Sequence, residues 1–122
     1  MLFRSIAVSD TSDALGTWRS FQMLASSTKL ADYPKLSSTP SGLIISANMF
    51  KNGTSYSGVN VWVLNRNALF SNTPTLQSIL YVLGNAYFSL MPVNVKFPSS
   101  LSGALSANNQ GYLLSDYGSS NS

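Results

Sequence analysis

Two long runs of strand-forming residues, Gly42–Phe50 and Thr54–Asn65, flank the tripeptide Lys51-Asn52-Gly53. No other stretch limits the fold as tightly, because the turn between two such runs decides which side chains share a face. An Asn-Gly two-residue turn is the commonest way to join strands. It pairs odd with even positions, which would set Leu43, Ile45, Ala47 and Met49 beside Asn60 and Trp62. A three-residue loop, Lys51-Asn52-Gly53 with Gly53 in a left-handed bulge, keeps the parity even. Leu43, Ile45, Ala47 and Met49 then share a face with Val59, Val61 and Val63. The opposite face collects Ser46, Asn48, Phe50, Tyr56, Asn60 and Trp62, with Ile44 and Leu64 at its ends. One face is aliphatic and the other polar with aromatics. A one-residue slip would mix them, so the bulged loop is the expected one.

Weaker signals surround this hairpin. Leu2–Val8 reads as a strand and Asp10–Asp13 as a turn. Leu15–Ala25 fits neither period cleanly and is taken as a strand because strand-like segments flank it. Ser26–Ser41, with Pro34 and Pro40, is expected to be mostly loop, with a short edge strand near Tyr33–Ser37. Asn65–Thr75 is a polar connector. Leu76–Met91 carries two patterns. Leu76, Leu80, Leu83, Tyr87 and Leu90 fit a helix, whereas Ile79–Leu83 and Ala86–Leu90 around Gly84-Asn85 fit a hairpin. The hairpin is preferred because Gly84 would cost a helix interior about 1 kcal/mol. Val93–Phe97 reads as a further strand, Ser99–Ser106 as a short helix and Tyr112–Leu114 as a docking segment. The predicted fold is mainly β: an antiparallel sheet with a long central hairpin and at most one or two short helices near the C-terminus. One domain over residues 1–117 and a tail over residues 118–122 are expected.

Composition removes most chemistry. Of 122 residues only 9% are charged, against about 25% in an average soluble domain. There is no Cys, His or Glu, and the acids are Asp10, Asp13, Asp32 and Asp116. This excludes disulfides, thiolate nucleophiles, imidazole bases and the usual zinc sites. Asp10 and Asp13 lie close in sequence, but beside Thr11 and Ser12 they read as turn and cap chemistry. Asn52-Gly53-Thr54 matches a glycosylation acceptor, and the turn explains the same residues. No phosphate loop or nucleophile elbow occurs. An enzyme is not expected, and no cofactor is implied. No run of about 18 apolar residues predicts a membrane span, and the first ten residues are too mixed for a signal peptide.

Uncharged polar residues replace the missing charge: Ser occurs 23 times, Asn 11 and Thr 7. Such a surface resists association poorly. Two readings stand side by side, a neutral Ser-rich extracellular domain and a chain that covers itself with copies of itself. The net charge of +3 is mild in one chain but grows in an assembly, and backbone binding to nucleic acid scales with phosphates neutralised. The polar hairpin face sets Asn48, Tyr56, Asn60 and Trp62 between Lys51 and Arg66. Rings beside amides and basic groups suit unpaired bases, so these six are the candidate nucleic-acid-binding residues. The competing reading packs Trp62, Tyr56 and Phe50 under a neighbouring subunit or loop.

The N-terminal strand, the long Gly42–Asn65 hairpin, further antiparallel strands and a short C-terminal segment resemble, as architecture and not by motif, the coat proteins of small single-stranded RNA bacteriophages. The resemblance implies two subunits joined edge to edge into one wide sheet, with helices within Pro98–Leu114 crossing between them. It also implies a sheet facing RNA and an icosahedral shell of dimers, made in the host cytoplasm and located in the virion. The alternative is a phage decoration or spike protein, or a carbohydrate-binding β module with exposed Trp and Tyr.

Overall fold

The computed structural model describes residues 2–40, 42–95 and 111–115. Their order is β1 (Leu2–Ser9), β2 (Trp18–Ser26), β3 (Lys29–Ser38), β4 (Gly42–Lys51), β5 (Ser55–Asn65), α1 (Arg66–Leu69), β6 (Ser78–Leu83), β7 (Met91–Pro92) and β8 (Leu113–Leu114). The protein is mainly β and antiparallel, as the alternating patterns predict. β3-β4-β5-β6 form a four-stranded sheet in sequence order, β1-β2 a separate hairpin and β7-β8 a short pair.

The loop at the tip of β4-β5 has three residues, Asn52, Gly53 and Thr54, because Lys51 pairs with Ser55 and Phe50 with Tyr56. It lies one residue further along than Lys51-Asn52-Gly53. Gly53 has φ +74°, as the left-handed position requires, and Thr54 N–H donates to the Lys51 carbonyl at 3.2 Å.

The expected faces are nevertheless overturned. Between Asn48 and Phe50 the register shifts: Asn48 pairs with Val59, so Ser57 and Gly58 stand where one residue would face Met49. Gly58 has φ +89°, and a Cβ there would lie 2.3 Å from the Leu83 carbonyl oxygen of β6. Only glycine fits. This bulge reverses the parity that the three-residue loop set. Ile45 therefore pairs with Trp62, Ala47 with Asn60 and Leu43 with Leu64, while Ile44, Ser46 and Asn48 pair with Val63, Val61 and Val59.

Both faces are covered. The first, here the core face, brings Leu43, Ile45, Ala47, Met49, Trp62 and Leu64 into one cluster with Ala31, Met23, Ala25 and Leu69. The inward residues of the β1-β2 hairpin, Ile6, Val8 and Phe21, pack against it. Trp62 is 2% exposed. On the other face Ile44, Val59, Val61 and Leu90 form a second cluster, with Leu83 against it.

Other expectations also change. Ser26–Ser41 is not mostly loop: β3 runs ten residues, Lys29–Ser38. Its register shifts between Asp32 and Lys35, where Pro34 has no N–H to give and Tyr33 takes φ +51°. Asn65–Thr75 holds a four-residue helix, α1, whose first turn is capped by Asn65 Oδ1 accepting from Ala68 N–H at 3.1 Å. It is mid-chain, not near the C-terminus. Leu76–Met91 is neither helix nor hairpin. Its first arm is β6, but residues 84–90 form no strand and cross the second sheet face instead. The strand expected over Val93–Phe97 is absent from its described residues, 93–95; the strand lies just before it, at Met91–Pro92, and pairs with Leu113–Leu114. The helix expected at Ser99–Ser106 and the tail over residues 118–122 lie outside the described residues, as does most of Pro98–Leu114. Asp10–Asp13 is the expected turn: Asp13 Oδ1 accepts from Leu15 N–H at 2.9 Å, and Asp10 pairs with Arg19 at 2.6 Å.

Candidate functional site

The six candidate residues do not share a face. Asn60 and Trp62 point into the core face; Asn60 is 7% exposed and lies between Ala47 and Val82. Asn48 points to the opposite face and is buried. It donates from Nδ2 to Ser89 Oγ at 3.0 Å and accepts at Oδ1 from Ser89 N–H at 2.9 Å. Tyr56 is half-buried at the tip end, and its hydroxyl donates to the Tyr87 carbonyl. Burial pushes its pKa above the usual phenol value.

Lys51 and Arg66 mark opposite ends of the β4-β5 hairpin. Nine strand steps separate the Lys51–Ser55 and Gly42–Asn65 pairs, about 30 Å at the usual rise. Arg66 Nη1 donates to the Pro40 carbonyl at 3.3 Å, and its guanidinium lies 5.4 Å from the Phe70 ring centroid. Lys51 is exposed and faces Lys29 directly across β3 and β4.

A different group gathers at the tip end. Phe50, Tyr56 and Phe88 stack edge to face with centroids 5.7 and 5.2 Å apart. Tyr87 and Phe88 are exposed, and Lys29 and Lys51 stand at the same end of the sheet. Sequence reasoning points to Lys51 and Tyr56 here. It misses Phe88, because a hairpin arm over Ala86–Leu90 would carry that ring away from Tyr56.

The second feature that sequence reasoning misses is the outer edge of β6. Ile79, Leu80, Tyr81 and Val82 are 60%, 45%, 51% and 66% exposed. β6 pairs with β5 on one side, and among the described residues no strand pairs with the other. The sheet's opposite edge is guarded. β3 carries Lys29, Asp32 and Lys35, a register shift at Pro34, and hydrogen bonds from Val95 N–H to the Ser38 carbonyl and from Ser38 N–H to Asn94 Oδ1. β6 has no charge, no proline and no bulge. Its signal is present in Ser78-Ile-Leu-Tyr-Val-Leu83, an uncharged β-rich run, but the run alone does not say that its edge is open.

Two concavities lie on the described surface. A cleft of about 210 Å³ between the β1-β2 hairpin and α1 is lined by Val8, Phe21, Leu69 and the Asp10–Arg19 pair. A groove of about 630 Å³ runs beside β6, floored by Ile44, Val63, Ile79 and Tyr81 and rimmed by Asn65, Asn67 and Gln77. Among the described residues no group of three or more acidic, His or Cys side chains could hold a metal, and no helix is long and apolar enough to cross a membrane. Comparisons with family models, with curated proteins and with solved structures find no match.

Proposed function

We propose that this chain is a non-enzymatic structural subunit, a viral coat protein of the kind found in small RNA phages, that self-associates through β-strands and encloses nucleic acid. The carrying observation is the outer edge of β6, with which no strand pairs among the described residues and whose four central residues are each 45% exposed or more. An unguarded apolar edge templates the addition of another strand. Because antiparallel pairing is self-complementary, two copies of one edge can join about a two-fold axis. A chain that is only 9% charged does little to oppose this.

RNA is the proposed cargo. Within this proposal its contacts fall on Lys29, Lys51 and the exposed rings of Tyr87 and Phe88, not on Asn60 and Trp62, which serve the core. The +3 charge of each subunit sums over a shell, and phosphate contacts by lysine need no sequence motif.

Sedimentation and electron microscopy of the purified protein test the proposal. Regular closed particles that carry RNA at low salt are expected. A lone 13.1 kDa species at micromolar concentration would end the coat assignment. Particles with the absorbance ratio of pure protein would remove the cargo and leave assembly standing.

A further inference from the structure

Asn52-Gly53 is the only Asn-Gly dipeptide in the chain, and the fold puts it in the loop at the tip of the β4-β5 hairpin. Both residues are exposed. Asn52 has φ +53° and Gly53 φ +74°. Apart from its two chain neighbours, nothing lies within 4 Å of the place a Gly53 Cβ would occupy, so no other segment crowds the Asn52-Gly53 bond and glycine adds no side chain of its own. The loop's backbone hydrogen bond, Thr54 N–H to the Lys51 carbonyl, leaves the Gly53 N–H out. Lys51 precedes Asn52, and Lys29 stands across from Lys51. Positive charge beside an amide favours its deprotonated form and any oxyanion formed there.

We propose that Asn52 is a site of spontaneous covalent modification that switches the charge of the hairpin tip. The Gly53 backbone nitrogen loses its proton to hydroxide and attacks Asn52 Cγ. The new N–Cγ bond closes a five-membered imide, and the side-chain nitrogen leaves as ammonia after taking up a proton. Water then adds across one of the two imide C–N bonds. Opening at one carbonyl leaves aspartate, and opening at the other leaves isoaspartate, with the main chain routed through the former side chain. The net change is ammonia lost and water gained, with no oxidation or reduction.

Either product is ionised at neutral pH, since its carboxyl titrates near 4. The net charge of +3 falls by one unit per chain. The change falls beside a pair of lysines facing each other across two strands, an arrangement that like-charge repulsion disfavours. The modification therefore turns the most basic end of the sheet towards neutrality without any partner enzyme.

Prolonged incubation of the intact protein at neutral and mildly alkaline pH, followed by isoelectric focusing and peptide mapping for isoaspartate, is the test. An acidic species one charge lower is expected, arising at position 52 and forming faster as hydroxide rises. Asn52→Gln should abolish that species, and Asn52→Asp should focus at its position from the start. No conversion at position 52, or equally fast conversion at the exposed Asn67 and Asn72, would overturn the proposal.

Discussion

Asn48 and Ser89, forty-one residues apart, exchange two hydrogen bonds, one in each direction, at 3.0 and 2.9 Å. Ser46 Oγ donates to the Leu90 carbonyl beside them at 2.5 Å. Residues 84–90 are thus held on the sheet by buried polar pins as well as by Leu90 in its apolar cluster. Ser89 accepts φ +52° to make the bond, a backbone strain that its partners offset. Asn48→Ala should cost about 1–3 kcal/mol, because it leaves the Ser89 N–H without its acceptor. Urea denaturation of the purified variant measures this. A midpoint equal to that of the parent would show that the pin is idle.

Gly58 sets the faces of the long hairpin. Gly58→Ala must displace the Leu83 carbonyl, 2.3 Å from the added Cβ, and hold alanine at φ +89°. A loss of about 2–3 kcal/mol is expected. Deleting Ser57 is the sharper variant. It closes the bulge with Gly58 alone opposite Met49 and leaves the Phe50–Tyr56 and Asn48–Val59 pairs, and every pair beyond them, in place, so a soluble folded protein should be recovered. A deletion variant that is insoluble or lacks a native-like circular dichroism spectrum would disprove the bulge.

Asn60 and Val61 lie on opposite faces, and both are buried, at 7% and 3% exposure. Asn60→Asp and Val61→Asp should therefore both fail to fold at neutral pH, each placing a charge where no described cation faces it. The loss is about 4 kcal/mol or more for either. Soluble yield and thermal melting decide the matter. An Asn60→Asp protein as stable as the parent would restore the solvent-facing role that alternation alone predicts for this residue.

Tyr56 links pH to stability. Burial raises its pKa in the folded chain, so the folded state holds the phenolic proton more tightly than the unfolded state. That contribution is fully present below the unfolded value of about 10 and is lost as pH rises through the higher folded value. Tyr56→Phe removes the hydroxyl that donates to Tyr87. It should be less stable than the parent at neutral pH, with the gap narrowing in alkali. Denaturant midpoints taken across the alkaline range should converge; parallel curves would exclude Tyr56 as the titrating group.

The edge of β6 carries the proposed association. Val82 is 66% exposed and faces no described residue beyond β5. Val82→Lys adds a charge to the open edge while leaving the core clusters intact, the device that guards natural edges. The variant should fold and sediment as smaller species than the parent. Unchanged particles would place the subunit contact elsewhere.

Strand class, antiparallel pairing, the Asp10–Asp13 turn and a three-residue loop with Gly53 in the left-handed region are all legible in the sequence. Each depends on residues a few positions apart: alternation, turn chemistry, and the freedom of glycine at positive φ. The two faces of the hairpin are not legible there. Side chains alternate with a period of two, so one extra residue at Ser57-Gly58 exchanges every partner beyond it. Whether that residue is inserted depends on distant elements. Leu83 of β6 must approach Gly58, and the β1-β2 hairpin must supply Phe21, Met23 and Ala25 to enclose Trp62. The ring buries more apolar area there than the valines opposite could. The same dependence scatters the six candidate residues, since a polar stripe on a strand becomes a surface only when nothing folds over it. Ser46 and Asn48 lose theirs to residues 84–90, whose own path depends on the acceptors and donors that those two side chains offer.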